Sequence, residues 1–86
     1  MNIDKHPYLK AQYNTIRQQV QQAVSKVPPH PFGHAFLWGY ITLKRKNGKD
    51  VVVRDCLGSV CSNDLELTRK LAESVPGVSN VWFNMD

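Results

Sequence analysis

A long apolar run, a glycine-rich phosphate loop and a cysteine framework are all missing from this chain of 86 residues. No apolar stretch approaches the ~20 residues that a spanning helix needs, which excludes a transmembrane segment of that kind. The opening Met-Asn-Ile-Asp-Lys has no apolar core of the sort that drives export, so no signal peptide is expected. The protein is therefore expected to be cytoplasmic, with its two cysteines reduced. No glycine-rich loop follows a strand, and Ser, His and Asp fall in no motif that would make a nucleophile and its base. Asp55 and Cys56 adjoin, but neighbours on a strand point to opposite faces and cannot work as a dyad. These absences speak against an enzyme, and no cofactor is expected. The length allows one domain, residues 1–86. A domain this small buries only about 60–65% of the surface of its unfolded chain, so its large apolar side chains are needed for the core.

What is present is unevenly charged. The total is +4, made of +3 over residues 1–34, +4 over 35–54 and −3 over 55–86. A basic front and an acidic back favour an oriented encounter with a polyanion or an acidic protein surface, although solubility alone also calls for charge.

Periodicity divides the chain. Leu9, Tyr13, Ile16, Val20, Ala23 and Val27 recur at steps of four and three, the stripe of an amphipathic helix over about residues 7–27. Asp4 or His6 can open it, Pro7 is tolerated in its first turn, and Pro28-Pro29 ends it. Residues 28–34, PPHPFGH, form a stiff extended connection, because three prolines fix φ and donate no hydrogen bonds. Two runs rich in aromatic and β-branched residues, AFLWGYITL and VVVRDCL, then flank a polar turn containing Asn47-Gly48, a strong hairpin signal. A second helix follows, with Asn63 as N-cap, Glu66 as its capping-box partner, and Leu67 and Leu71 on the inner face with Leu65, Thr68, Ala72 and Val75. Pro76-Gly77 stops it, and a strand over about 79–85 closes the chain. The expected fold is α+β: a two-layer α-β-β-α-β arrangement, with a three-stranded antiparallel sheet carrying two helices on one face.

Alternation assigns the faces. Leu37, Gly39, Ile41 and Leu43 share one side of the first strand, and Phe36, Trp38, Tyr40 and Thr42 the other. In the last strand Val81, Phe83 and Met85 oppose Trp82 and Asn84. With the helices on the aliphatic side, the other side shows Phe36, Trp38, Tyr40 and Trp82, with Arg54 nearby. Trp and Tyr offer large contact area at low entropy cost, so this face reads as a partner-binding surface. With the hairpin lysines beside it, it could also stack the bases of a single strand. The alternative is a cover, formed by the connection with Pro31 and Phe32 or by a second copy.

Two further clusters stand out. Lys44, Arg45, Lys46 and Lys49 put four cations in the six residues of the hairpin tip, suited to gripping phosphate or to keeping a sheet edge soluble. His30 and His34, with Cys56 and Cys61, are the residue types of a zinc site at the neighbouring ends of the hairpin. Their spacing matches no familiar zinc module, and no bound metal is expected.

Gly48-x-x-Val51-Val52-Val53, the Leu57-Gly58-x-Val60 exit, Leu71 and Ala72, and Val75-Pro76-Gly77-Val78-x-x-Val81 together resemble the BON domain, a small α-β-β-α-β module of bacterial proteins. The resemblance covers about half the chain, residues 48–85, and the element order agrees. It implies contact with phospholipid or a partner domain and brings no catalytic residues. The PPHPFGH connection, the aromatic first strand and the lack of an export signal depart from that pattern. The expected function is therefore non-catalytic: an adaptor, regulator or inhibitor, a role common among small phage and mobile-element proteins. It would bind another protein or a second copy of itself through Phe36, Trp38, Tyr40, Trp82 and Arg54. The alternative is a polyanion binder, of nucleic acid or anionic lipid, acting through the hairpin cations.

Overall fold

A computed structural model describes residues 3–29 and 35–85. A single 3₁₀ turn, Ile3–Lys5, leads into helix α1, Pro7–Val24; strands β1, Ala35–Leu43, and β2, Val51–Val60, follow. Helix α2, Leu65–Glu73, and strand β3, Val78–Met85, complete the chain. The sheet is antiparallel throughout, in the order β2-β1-β3. The fold is therefore α+β, with two helices and a three-stranded antiparallel sheet.

The expected stripe of α1 is the buried one: Leu9, Tyr13 and Val20 are buried and Ile16 and Ala23 partly so, and Val24, outside that stripe, is buried as well. Pro7 occupies the first turn. Of the two candidate openers, His6 stands at the start of the helix, its carbonyl accepting the Lys10 N–H at 2.9 Å. It holds the N-cap position without a side-chain bond, and Asp4 instead pairs with Lys10 at 2.8 Å. The helix stops at Val24, three residues short of expectation. A tightened turn, with the Val27 N–H donating to the Val24 carbonyl at 3.2 Å, brings Val27 down onto the core before Pro28.

Helix α2 begins one residue later than its sequence suggests. Asp64 is the N-cap, its Oδ1 accepting the Leu67 N–H at 3.0 Å, while the Asn63 N–H donates to the Pro28 carbonyl. That shift leaves Glu66 one position too early to complete a capping box, and it pairs with Arg69 instead. The inner face shifts as well. Thr68 and Ala72 are buried, whereas Leu67 is 43% exposed. Thr68 has its hydroxyl satisfied by the Asp64 carbonyl and by Ser62.

Leu37, Ile41 and Leu43 of the central strand are fully buried against Val20, Leu57, Ala72, Val75, Val78 and Val81, and they form one core between the helices and the sheet. Gly39 shares that side. A Cβ there would lie 3.2 Å from both Leu57 and Val81, so the bare backbone lets those two side chains close over the strand.

Each outer strand carries a bulge. In β2, Cys56 pairs with Trp38 and Gly58 with Leu37, so Leu57 is the extra residue. In β3, Ser79 pairs with Tyr40 and Trp82 with Trp38, so two residues, Asn80 and Val81, stand opposite Gly39. Asn80 has a left-handed φ of 51°, which Asn tolerates better than most side chains. Both bulges leave ladder groups to be satisfied elsewhere, and a helix side chain answers each. Gln21 of α1 donates to the Leu57 carbonyl at 2.7 Å, and Glu73 of α2 accepts the Val81 N–H at 3.3 Å.

Candidate binding face and basic loop

The bulge in β3 decides what the exposed side of the sheet is made of. Val78 pairs with Ile41 and faces the core. Strict alternation from there would turn Val81 outward and Trp82 inward. Because Asn80 and Val81 share one position, Val81 is buried as well and Trp82 emerges beside Trp38. The expected alternation of β1 holds along its whole length, with buried and partly exposed residues in turn.

Phe36, Trp38, Tyr40 and Trp82 thus lie, partly exposed, on the side of the sheet away from the helices. The Trp38 and Trp82 rings stack across the strands at 6.3 Å between centroids and 20° between planes, and Tyr40 tilts against Trp82 at 5.7 Å. Arg54, paired with Tyr40 in the ladder, lays its guanidinium 5.3 Å from the Trp82 ring and 6.0 Å from that of Trp38. Such cation–π contacts hold a long side chain over the rings without using its N–H groups. Among the described residues, Arg54 has no carboxylate partner. Around this centre, Cys56, Ser59 and Asn84 share the face by register, and Val52 is 60% exposed. The five residues expected to form one surface are brought together.

Two of the hairpin cations, Arg45 and Lys46, are drawn toward the start of helix α1. Residues 44–50 form an exposed loop whose first residue is clasped by helix α1. The Gln12 side chain donates to the Lys44 carbonyl at 2.7 Å and accepts its N–H at 2.9 Å. This pair of bonds extends the ladder by one rung toward the helix layer. Lys46 sits 5.0 Å over the Tyr8 ring, and Arg45 and Lys46 join Lys5, His6, Pro7, Tyr8 and Leu9 around an open cleft of about 300 Å³. Sequence spacing alone cannot reveal this, because the clasp spans 32 residues.

On the inner side, Asp55 lies opposite Gly39 and accepts a hydrogen bond from the Tyr13 hydroxyl. Its other oxygen accepts the Cys56 N–H at 2.8 Å, and Arg17 donates to the Tyr13 oxygen at 3.3 Å. Burial, and then the bond to Asp55, push the Tyr13 hydroxyl above its ordinary pKa of 10.0, while Arg17 pulls the other way. Sequence reasoning missed this cluster. Its signal was an acidic residue at an inward position of β2, which needs a partner, and a tyrosine on the inward stripe of α1.

Cys56 and Cys61 are free thiols, the first partly buried and the second exposed. His30 and His34, the expected cover from Pro31 and Phe32, and the side chain of Met85 lie outside the described residues. Among the described residues no three His, Cys, Asp or Glu side chains converge on a metal position, and no helix is long and apolar enough to cross a membrane. No protein-family model matches the chain, and neither a curated protein nor a solved structure matches it.

Proposed function

We propose that this is a non-catalytic binding protein, an adaptor, regulator or inhibitor, that engages another protein through the aromatic side of its sheet. One observation carries the reading. Four aromatic rings and one arginine occupy the face on which neither helix packs, while the aliphatic residues of the same strands fill the core. Partly exposed aromatic clusters of this kind supply the anchors of protein interfaces. The seating of Arg45 and Lys46 at the start of α1 supports a protein over a nucleic acid here, since a stacked single strand also needs phosphate grips beside its stacking platform. The Tyr13–Asp55–Arg17 cluster is read as a structural tie between α1 and β2.

Substitution tests this directly. Trp38→Ala and Trp82→Ala are expected to leave the monomer folded with Tm lowered by only a few degrees, while partner binding falls at least tenfold. Tryptophan emission of the free monomer should be red-shifted and readily quenched. Blue-shifted, quencher-protected emission in a proven monomer, together with unfolding of both variants, would overturn the reading.

The cleft at the start of α1 favours a second, separate reading. Lys5, Arg45 and Lys46 around about 300 Å³ suit a phosphate-bearing ligand, with Lys44 and Lys49 on the same loop. The resemblance to the BON domain brings anionic phospholipid into this alternative. Binding of that kind weakens steeply as salt rises, whereas an aromatic-anchored protein contact weakens far less.

A further inference from the structure

Resting on the aromatic face as the binding surface, we infer the chemistry of its partner: a polypeptide segment in which an apolar or aromatic side chain lies beside an Asp or Glu. The argument begins with Arg54. One flat side of its guanidinium lies over Trp82 and Trp38, at 5.3 and 6.0 Å, and among the described residues the group makes no hydrogen bond or ion pair. A guanidinium held this way keeps the N–H fork at its rim for a carboxylate, and the rings fix its position before the partner arrives. The three strands hold no Asp or Glu on this side, because their one described carboxylate, Asp55, is turned inward onto Tyr13.

That asymmetry selects between occupants. Two copies packed face to face would bury two guanidiniums, and neither copy's strands would offer a carboxylate for them. Desolvating unpaired charge is strongly unfavourable. A partner that brings its own carboxylate relieves this, and its neighbouring apolar side chain covers the Trp38–Trp82 stack. Strand addition is the other way to use a small sheet, and the bulges work against it. Side chains of both helices already occupy backbone groups at the bulges of the two outer strands, Gln21 at Leu57 and Glu73 at Val81. The partner is thus met by the face and not by an edge.

A random peptide library displayed on phage and selected on the intact, folded protein tests the inference. Selected peptides are expected to place Asp or Glu within a few positions of an aromatic or aliphatic residue. They should lose at least tenfold in affinity on Trp82→Ala and on Arg54→Gln. Selection on Arg54→Glu should return peptides carrying Lys or Arg at the same position. Peptides that depend on Trp82 but show no acidic preference, or none that Arg54→Glu reverses, would sink the carboxylate and leave the face standing. Peptides indifferent to Trp82, or no enrichment over an unrelated protein, would sink both. Sedimentation equilibrium supplies the remaining arm: a dimer that Trp82→Ala dissociates would make the occupant a second copy and overturn the inference.

Discussion

The two sides of one nine-residue strand have been given opposite tasks. On the inner side of β1, Leu37, Ile41 and Leu43 are wholly buried, and Gly39 lets neighbours close over it. On the outer side, Phe36, Trp38 and Tyr40 remain partly exposed, with Trp38 and Tyr40 packed sideways on Trp82 and Arg54 lying over Trp38 and Trp82. Aliphatic side chains are rewarded only when water is removed from all round them, which the helices do. Aromatic rings can be ordered by stacking at their edges and faces while one surface stays wet. The difference teaches that this sheet orders its outer side by ring contacts between strands, and its inner side by burial under the helices.

The largest test compares the sides directly. Leu37→Ala should cost about 2–5 kcal/mol in stability by creating a cavity in the core. Trp82→Ala should cost only ~1 kcal/mol, the loss of partly solvated ring contacts. Chemical denaturation of both variants checks the contrast, and equal losses would mean that both sides are covered.

Next comes the contact that fixes α1 over the sheet. Gly58 has φ +133°, and a Cβ there would lie 2.1 Å from the Gln21 amide nitrogen. Backbone strain of about 1–3 kcal/mol and loss of the Gln21 hydrogen bond, about 1 kcal/mol, should make Gly58→Ala cost about 2–4 kcal/mol. In a double-mutant cycle, Gln21→Ala should absorb the part due to collision and leave the part due to φ.

The third test uses pH to weaken the inner side alone. Tyr13→Phe removes a hydrogen bond to a carboxylate and should cost about 1.5–3 kcal/mol at neutral pH. In the native protein the Tyr13 pKa is raised above 10.0. Its contribution is therefore complete below pH ~10 and declines as pH rises through the folded-state pKa, because the unfolded chain releases this proton first. Alkaline denaturation should show that decline in the native protein and a shallower one in Tyr13→Phe.

The smallest effect concerns the residue that sorts the two sides. Asn80→Val places a β-branched side chain at φ 51° and should cost about 1–2 kcal/mol, while Asn80→Gly should be nearly neutral. Tryptophan emission is the sharper readout. A bulge lost in Asn80→Val would draw Trp82 inward and shift emission to the blue.

Much of this arrangement was legible in the chain. The order of elements, the stripe of α1 and the alternation of β1 are local periodicities, and they place Trp38, Tyr40 and Trp82 together on the side opposite the helices. What was illegible is long-range. The route of the basic loop follows from Gln12 reaching Lys44, and the partner of Asp55 is 42 residues away. The start of α2 moved because Asp64 competes with Asn63 for the same role, and a side chain one residue later in the sequence won the N–H of Leu67. The bulges left a faint trace, valines at 78 and 81 separated by two polar residues, which breaks the period of two.

Read in terms of insertions and deletions, those bulges make chain length itself part of the design. In a regular strand, removing one residue reverses the facing of every side chain beyond it. Here each outer strand already contains one residue in excess, and loss of that one residue leaves the side chains beyond it facing as they do now. Deleting Asn80 would leave a regular strand in which Val78 and Val81 still face the core and Trp82 still emerges beside Trp38. Related chains should therefore tolerate loss of Asn80 more readily than loss of any other single residue of β3, and length variation should collect there and in the loop at residues 44–50.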